Sequence, residues 1–260
     1  MLNLISRELI VKKIKMIMPV PMPPAALAGF ESQIPSSLRR DDVTIDFVAV
    51  KEGAKILDSY YEMTMADAFV LEAGIAAEAE GYDAVCINSM SDSGLAALRS
   101  RLSIPVVGPC QSCLLTACML GEKFSIITMW DQWRPLYKKT IQEQGLAHRL
   151  ASIRAINVRP DAQELLAGKE DIVFAQLEAA ALAAIHEDGA EVIIIGSTTM
   201  HQSYEYLAGK LPVPVLNPGL ISLKVCEMLL DLELTHSKLA YPPPELLNDH
   251  VLDSVKPHIF

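Results

Sequence analysis

Two short runs of hydroxyl-bearing residues carry most of the chemistry available to this 260-residue chain. The first is Asn88-Ser89-Met90-Ser91-Asp92-Ser93-Gly94, and the second is Gly196-Ser197-Thr198-Thr199-Met200-His201. Each follows a short apolar run and leads into a segment of helical period. Each therefore sets hydroxyls and free backbone N–H groups at a helix start, where the partial positive charge favours an anion. A small carboxylate or an imide is the ligand such a turn would hold. Ser, Thr and Asp are also preferred helix N-caps, so either turn alone reads first as an ordinary helix start, and it is the pair that points to a ligand.

Other residues nearby could supply acid–base chemistry. Asp92 could cap its helix or serve as a base for Ser89 or Ser91. His201 could act as an acid or base near neutral pH, or simply face solvent. Cys110-Gln111-Ser112-Cys113 is a CxxC, but no thioredoxin-like context surrounds it. The six histidines (148, 186, 201, 236, 250 and 258) form no pair that would complete a zinc site, so no metal is expected. Cys86 lies in a strand three residues before Ser89, and strand alternation turns it into packing. Cys118 and Cys226 sit at helical spacing among apolar residues and read as core. Trp130, Asp131 and Trp133 follow the apolar run ending at Thr128 and could form an aromatic lid or pack on the surface.

The elements that must position these residues alternate in type. Short β-branched runs predict strands near 13–18, 43–50, 83–88, 104–108, 124–128, 151–157, 191–195 and 213–216. Ala- and Leu-rich segments predict helices at 64–80, 92–101, 112–120, 132–144, 171–187, 199–209 and 219–231. Val192-Ile193-Ile194-Ile195 is apolar throughout, as expected of a parallel strand covered on both faces. Eight strands with helices between them would suit a barrel, but an internal repeat points elsewhere. Gly81–Ser89 followed by Ile104-Pro105-Val106-Val107-Gly108-Pro109 matches Gly189–Ser197 followed by Val213-Pro214-Val215-Leu216-Asn217-Pro218. The expected architecture is thus α/β, with two similar halves and a ligand cleft where the two Ser-bearing turns face each other beyond the strand C-termini. From Tyr241-Pro242-Pro243-Pro244 onward the tail reads as an extended arm ending in a short helix, laid on a neighbouring subunit or strapped to its own.

Composition narrows the partners. Lys and Arg number 22 against 32 Asp and Glu, a net charge of −10, which argues against nucleic acid and against an anionic membrane surface. Five cysteines, three of them within nine residues, do not form a disulfide framework. No apolar stretch reaches the roughly 20 residues needed to span a bilayer. The N-terminal run is broken by Arg7 and Glu8 and makes a poor signal peptide, so the cytoplasm is the default location.

The stretch Tyr82-Asp83-Ala84-Val85-Cys86-Ile87-Asn88-Ser89-Met90-Ser91-Asp92-Ser93-Gly94-Leu95 resembles the first catalytic turn of the hydantoin racemases, in the aspartate/glutamate racemase superfamily. Ile194-Ile195-Gly196-Ser197-Thr198-Thr199-Met200 resembles their second turn, and Ile104–Gly108, Phe124–Thr128 and Ser59-Tyr60-Tyr61-Glu62 also match, so that the likeness spans most of residues 12–230. It implies two pseudo-symmetric Rossmann-like domains (1–118 with 215–260, and 119–214), a cofactor-free enzyme, and a homo-oligomer acting on a small anionic or imide-type substrate. In that family a cysteine in each turn moves a proton at the substrate's α-carbon. The matching positions here are Ser89 and Ser197. A thiol can be tuned into a base near neutrality, whereas a serine needs an adjacent one. The family's Asn-Pro-Asn-Thr type loop reads Met18-Pro19-Val20-Pro21-Met22 here, which implies a less polar or larger substrate in contact with Pro19 and Met22. The resemblance also turns the Cys110 loop and the Trp130 loop toward the cleft. Ser89, Ser197 and Asp92 are then the expected catalytic residues. Asn88, Met90, Ser91, Cys110, Thr128, Trp130, Gly196, Thr198, Thr199 and His201 are the expected substrate contacts. Three functions remain open: carbon-acid chemistry of racemase or isomerase type with non-cysteine bases, hydrolysis or decarboxylation on the same scaffold, and binding without turnover.

Overall fold

The computed structural model describes residues 11–160, 171–252, 254 and 257. The first ten residues, and with them most of the run read as a poor signal peptide, lie outside the described residues. All eight expected strands form. They make two parallel four-stranded sheets of the same order, β2-β1-β3-β4 and β6-β5-β7-β8. In the first sheet these are β1 (Lys12–Met18), β2 (Val43–Ala49), β3 (Ala84–Ile87) and β4 (Val106–Val107). In the second they are β5 (Phe124–Thr128), β6 (Leu150–Ala155), β7 (Val192–Ile195) and β8 (Val215–Leu216). The repeat read from sequence is visible in the register: Val85 pairs with Val106, and Ile193 with Val215.

The helices are α1 (Pro24–Ser32), α2 (Tyr60–Gly74), α3 (Leu95–Arg101), α4 (Pro109–Leu120), α5 (Arg134–Glu143), α6 (Asp171–His186), α7 (His201–Ala208) and α8 (Pro218–Asp231). Helix α1 is absent from the sequence-based expectation. It begins after Pro23 with Pro24 in its first turn, where a missing N–H does no harm. Helix α2 starts four residues earlier than expected because the Ser59 side chain accepts the Glu62 N–H at 3.3 Å and caps it. Helix α3 starts later than expected, since Asp92 and Gly94 adopt left-handed backbone conformations, with φ of 47° and 66°.

The boundaries expected for the two halves differ from the sheet pairing. Strand β8, assigned on sequence to the first half, pairs with β7 in the second sheet. Helix α4 follows β4, yet its buried Cys113, Leu114 and Ala117 pack with Phe124, Ile126, Val192 and Ile194 of the second sheet. Helix α8 follows β8 and buries Leu223 and Cys226 against Ile14, Met16, Cys86 and Val107 of the first. Helical period shows which face is apolar but not which sheet it meets. The outer face of the first sheet is covered by α2 and α3, and that of the second by α6 and α7.

The tail is strapped to its own chain. The Lys238 ammonium donates to the Arg99 carbonyl at 2.7 Å, and the Arg99 guanidinium donates to the Tyr241 hydroxyl at 3.1 Å. The Val106 N–H donates to His236 Nε2 at 2.8 Å. Burial holds that imidazole low, at about 4, so it stays neutral and able to accept. Among the described residues, no helix is long and apolar enough to cross a membrane.

The packing of α4 on the second sheet has a direct test. Leu114 is fully buried, whereas Leu115 on the same helix is 49% exposed. Leu114→Ala should cost roughly 2–5 kcal/mol of stability, lowering the melting temperature by roughly 2–4 °C per kcal/mol. Leu115→Ala should stay within about 0.5 kcal/mol. Equal effects in thermal melts would show that α4 does not seat as described.

Candidate functional site

In each sheet the strand order reverses about a central pair, β1/β3 and β5/β7, and crevices beyond the C-termini of such pairs are where open α/β sheets bind ligands. The two Ser-bearing turns leave β3 and β7 at these points. They touch directly: the Thr198 hydroxyl donates to the Asn88 carbonyl at 3.0 Å. Both turns are anchored beneath by equivalent bonds, Asn88 N–H to the Ile17 carbonyl and Gly196 N–H to the Ile127 carbonyl, each 2.8 Å. Gly196 is required by close approach, because a Cβ there would lie 2.6 Å from Thr128 Cβ and 2.8 Å from the Tyr137 hydroxyl oxygen. That hydroxyl donates to the Gly196 carbonyl at 2.7 Å and pins the second turn.

A cleft of about 120 Å³ opens beside the touching turns. Asn88, Ser197, Thr198 and Thr199 form its polar wall. Pro19 and Met22, expected as contacts, line it together with Met18, Val20, Phe30, Leu57 and Trp133. Ser89 is the half-buried neighbour of Asn88 in the first turn, and Ser197 is likewise half-buried. The Ser91 hydroxyl donates to Ser89 Oγ at 3.0 Å, and Ser197 Oγ shares a 2.8 Å bond with Thr199 Oγ1. The hydrogen bonds described for the two serines thus run within their own turns, to hydroxyls and backbone N–H groups, and none reaches a carboxylate or an imidazole.

Several expected site residues lie elsewhere. Asp92 caps neither its own helix nor a serine. Its carboxylate accepts the Cys110 and Gln111 N–H groups at 2.9 and 2.8 Å and so caps α4 across space. Gly108, the residue before α4, makes this possible, since a Cβ there would sit 2.6 Å from the Asp92 carboxyl carbon. Cys110 is wholly buried in the core between the sheets, and burial raises its thiol well above the usual range, so it does not reach the cleft as a thiolate. Cys113 is buried and raised for the same reason. Met90 packs in that core, Ser91 is buried beside Ser93, and the Thr128 hydroxyl pairs with that of Tyr137. Trp130 stands edge-on to Trp133 at 6.5 Å and is not itself a cleft wall. His201 lies beside the cleft at a separate cavity of about 20 Å³, shared with Asn88, Thr198 and Asn217. Its Nδ1 is 2.9 Å from Asn217 Nδ2, and its Nε2 is 3.5 Å from Glu205. Asn88 Oδ1 is buried with no partner among the described residues.

One wall of the cleft is not among the residues expected from sequence. Lys55, Ile56 and Leu57 form a loop whose three successive N–H groups donate to Glu62 Oε2 at 2.7, 2.9 and 3.0 Å. Trp133 Nε1 donates to the Ile56 carbonyl at 2.8 Å and ties the loop to the second half. The available signal was the Ser59-Tyr60-Tyr61-Glu62 capping box, in which Glu62 ordinarily turns back to its own helix start. Here it organises the preceding loop instead. Among the described residues no group of three or more His, Cys, Asp and Glu side chains could hold a metal ion, and His258 lies outside them.

Two matched parallel α/β halves, joined at the strand ends around an intervening cleft, define the structural class. The chain belongs to the Asp/Glu/hydantoin racemase family, whose profile matches residues 25–226, and it is an enzyme of that superfamily. It is 31% identical over 212 residues to a hydantoin racemase of Pseudomonas sp. (strain NS671), covering 80% of this chain and 83% of that one. It is 30% identical over 174 residues to the hydantoin racemase of Rhizobium meliloti, covering 64% and 68%. The allantoin racemase from Klebsiella pneumoniae superposes with a TM-score of 0.80 at 25% identity, covering 95% of this chain and all of that one. The resemblance carried by the two turns therefore holds for family and fold.

The buried cap makes a pH prediction. Burial pushes the Asp92 carboxyl up to about 6, although the Gln111 and Cys110 N–H groups favour its ionised form. The native chain keeps this proton to about pH 6, while the unfolded chain releases it near 3.8. Its contribution to stability is therefore fully present below pH 3.8 and is lost as pH rises through about 6. That amounts to about 3 kcal/mol. Urea melts of wild type and Asp92→Asn should thus show the wild type losing up to that amount relative to the variant between pH 4 and pH 7.5. A difference that does not move with pH would overturn the buried placement.

Proposed function

We propose that the chain is a cofactor-independent enzyme that activates a carbon acid in the cleft between its two halves. Its substrate is a small carboxylate, a hydantoin or a cyclic amide or imide. The observation that carries this reading is the meeting of the two turns. Thr198 bonds to Asn88, so that Ser89 and Ser197, 108 residues apart in the repeat, flank one pair of touching strand ends beside the cleft. The named hydantoin and allantoin racemases among its relatives support a reaction at a carbon flanked by a carbonyl.

The chemistry follows from what the serines bond. Among the described residues no carboxylate or imidazole bonds to either hydroxyl, so these neighbours set up neither serine as a proton-abstracting base. Both hydroxyls, with the backbone N–H groups of their turns, are donors suited to the oxygen that gains charge as the carbon acid ionises. One preorganised donor of this kind is worth about 10²–10³ in rate. Proton transfer then falls to a non-cysteine carrier. The same arrangement favours a second reading, decarboxylation or hydrolysis, because both reactions develop an oxyanion and decarboxylation needs no base to start.

Proton NMR in D2O separates these readings, using pooled hydantoins, amino acids, substituted malonates, maleamate and cyclic imides. Loss of an α-proton signal without a new compound is the expected result for wild type. Ser89→Ala and Ser197→Ala should each slow that exchange by about 10²–10³. New product peaks without exchange would favour the second reading, and wild-type turnover in both variants would remove the serines from the site.

A further inference from the structure

Among the described residues lining the cleft, Lys55 is the one that carries a charge. Its backbone is held firmly, by the Glu62 carboxylate on one side and through Ile56 by Trp133 on the other. Leu57 completes the loop in a left-handed conformation, φ 56°, and its N–H is the third that Glu62 secures. The loop is thus built rather than slack, and it stands at the cleft with a lysine whose side chain is exposed. Lys12, Lys15, Lys51, Lys210 and Lys224 each pair with a carboxylate within 4 Å. Lys55 has no such ion pair with a described residue.

The other walls say what accompanies the charge. Met18, Val20, Met22, Phe30, Leu57 and Trp133 present apolar surface that gains from contact with a hydrocarbon group. Ser197 and Thr199 add hydroxyls to the lining. On a chain of net charge −10, a cation at a partly enclosed cleft is a local attractor for an anion that the rest of the surface repels. A neutral ring offers it only carbonyl acceptors and gains less than a carboxylate.

We propose that Lys55 is the substrate-recognition residue of this cleft, and that it selects a carboxylate anion bearing an apolar substituent of aryl or branched-alkyl size over the neutral cyclic ureides and imides. The proposal rests on the cleft being the active site and narrows the substrate class within it. The lysine ammonium donates to the carboxylate at the cleft mouth, the substituent lies on the Met18–Phe30–Trp133 wall, and the acidic carbon between them is presented to the serine-bearing turns.

Equilibrium binding tests this without turnover. The chain has two tryptophans, so Trp130→Phe leaves Trp133, a cleft wall, as the sole fluorescent reporter. Phenylacetate and the neutral phenylacetamide are titrated into this protein and into versions that also carry Lys55→Met or Lys55→Arg. Phenylacetate should bind with Lys55 present, weaken about tenfold in Lys55→Met as one charge-assisted hydrogen bond is lost, and recover in Lys55→Arg. Phenylacetamide affinity should be the same in all three. If both ligands bind but Lys55→Met leaves phenylacetate unchanged, or weakens both equally, the recognition role is overturned while the cleft remains a binding site. If neither ligand perturbs Trp133 in the parent protein, the cleft itself is overturned as the site, and the lysine's role goes with it.

Discussion

Each sheet is completed by a helix that begins on the other, and the geometry between the turns depends on this exchange. Helix α4 leaves β4 of the first sheet and buries Leu114 and Ala117 against Phe124 and Ile194 of the second. Helix α8 leaves β8 and returns the favour with Leu223 and Cys226 on the first. These faces, in two separate apolar clusters, hold the two halves against each other. Packed interiors resist small displacements, so the Thr198–Asn88 bond joins surfaces already fixed in place rather than bridging a loose hinge. The spacing of the candidate catalytic hydroxyls is then a property of the core and not of loop conformation.

The two exchanged helices start in different ways, and the difference marks where the repeat has diverged. Helix α8 is capped locally, by Asn217 Oδ1 accepting the Leu220 N–H at 3.2 Å. At the equivalent point α4 has Gly108, which has no side chain to offer, and Asp92 reaches over from the first turn to do the same work. A carboxylate spent on two helix N–H groups in a dry interior is unavailable to a serine. In the second half the residue equivalent to Ser93 is His201, which sits against Asn217 at the small cavity, beside Asn88 Oδ1, which has no partner among the described residues. One turn thus ends in a sealed acid and the other in an imidazole flanked by amides. The halves share an architecture but not an electrostatic environment.

Much of this was legible in the chain itself. Strands buried on both faces read as unbroken apolar runs, and the Ser-turn and Pro-Val repeats exposed the twofold plan and the polar wall of the cleft. What escaped was set by distance in sequence. Nothing local to Asp92 announces that its partners are the N–H groups of residues 110 and 111, and nothing in the period of α4 says which sheet it covers. Cys110 is expected in the cleft because the family resemblance turns its loop that way, yet its side chain is buried in the apolar core. The Lys55–Leu57 wall was hidden for a similar reason. Its order comes from Glu62, and a residue three beyond a helix cap by itself points only back to its own helix start.

Replacing thiols by hydroxyls at the two turns changes more than a pair of atoms. A thiol brought near neutrality can take a proton from carbon and return it from either face, so symmetry of the two turns suits inversion of a stereocentre. In the proposed site, serines that bond to no carboxylate or imidazole among the described residues would keep the symmetry but not the proton-accepting step, retaining the capacity to donate to oxygen. A site that retains oxyanion stabilisation and lacks paired bases gains most from substrates whose charge develops without prior proton loss, or whose proton is removed by a carrier outside the turns. The remaining features of the cleft agree with such a shift. Its walls are largely apolar, and Lys55, the charged residue of the described lining, stands on a loop held from both halves of the molecule. In the proposed site, orientation would be imposed by asymmetry of the walls rather than by the near-symmetry of the turns. That asymmetry can commit the enzyme to one face of its substrate even though the fold presents two.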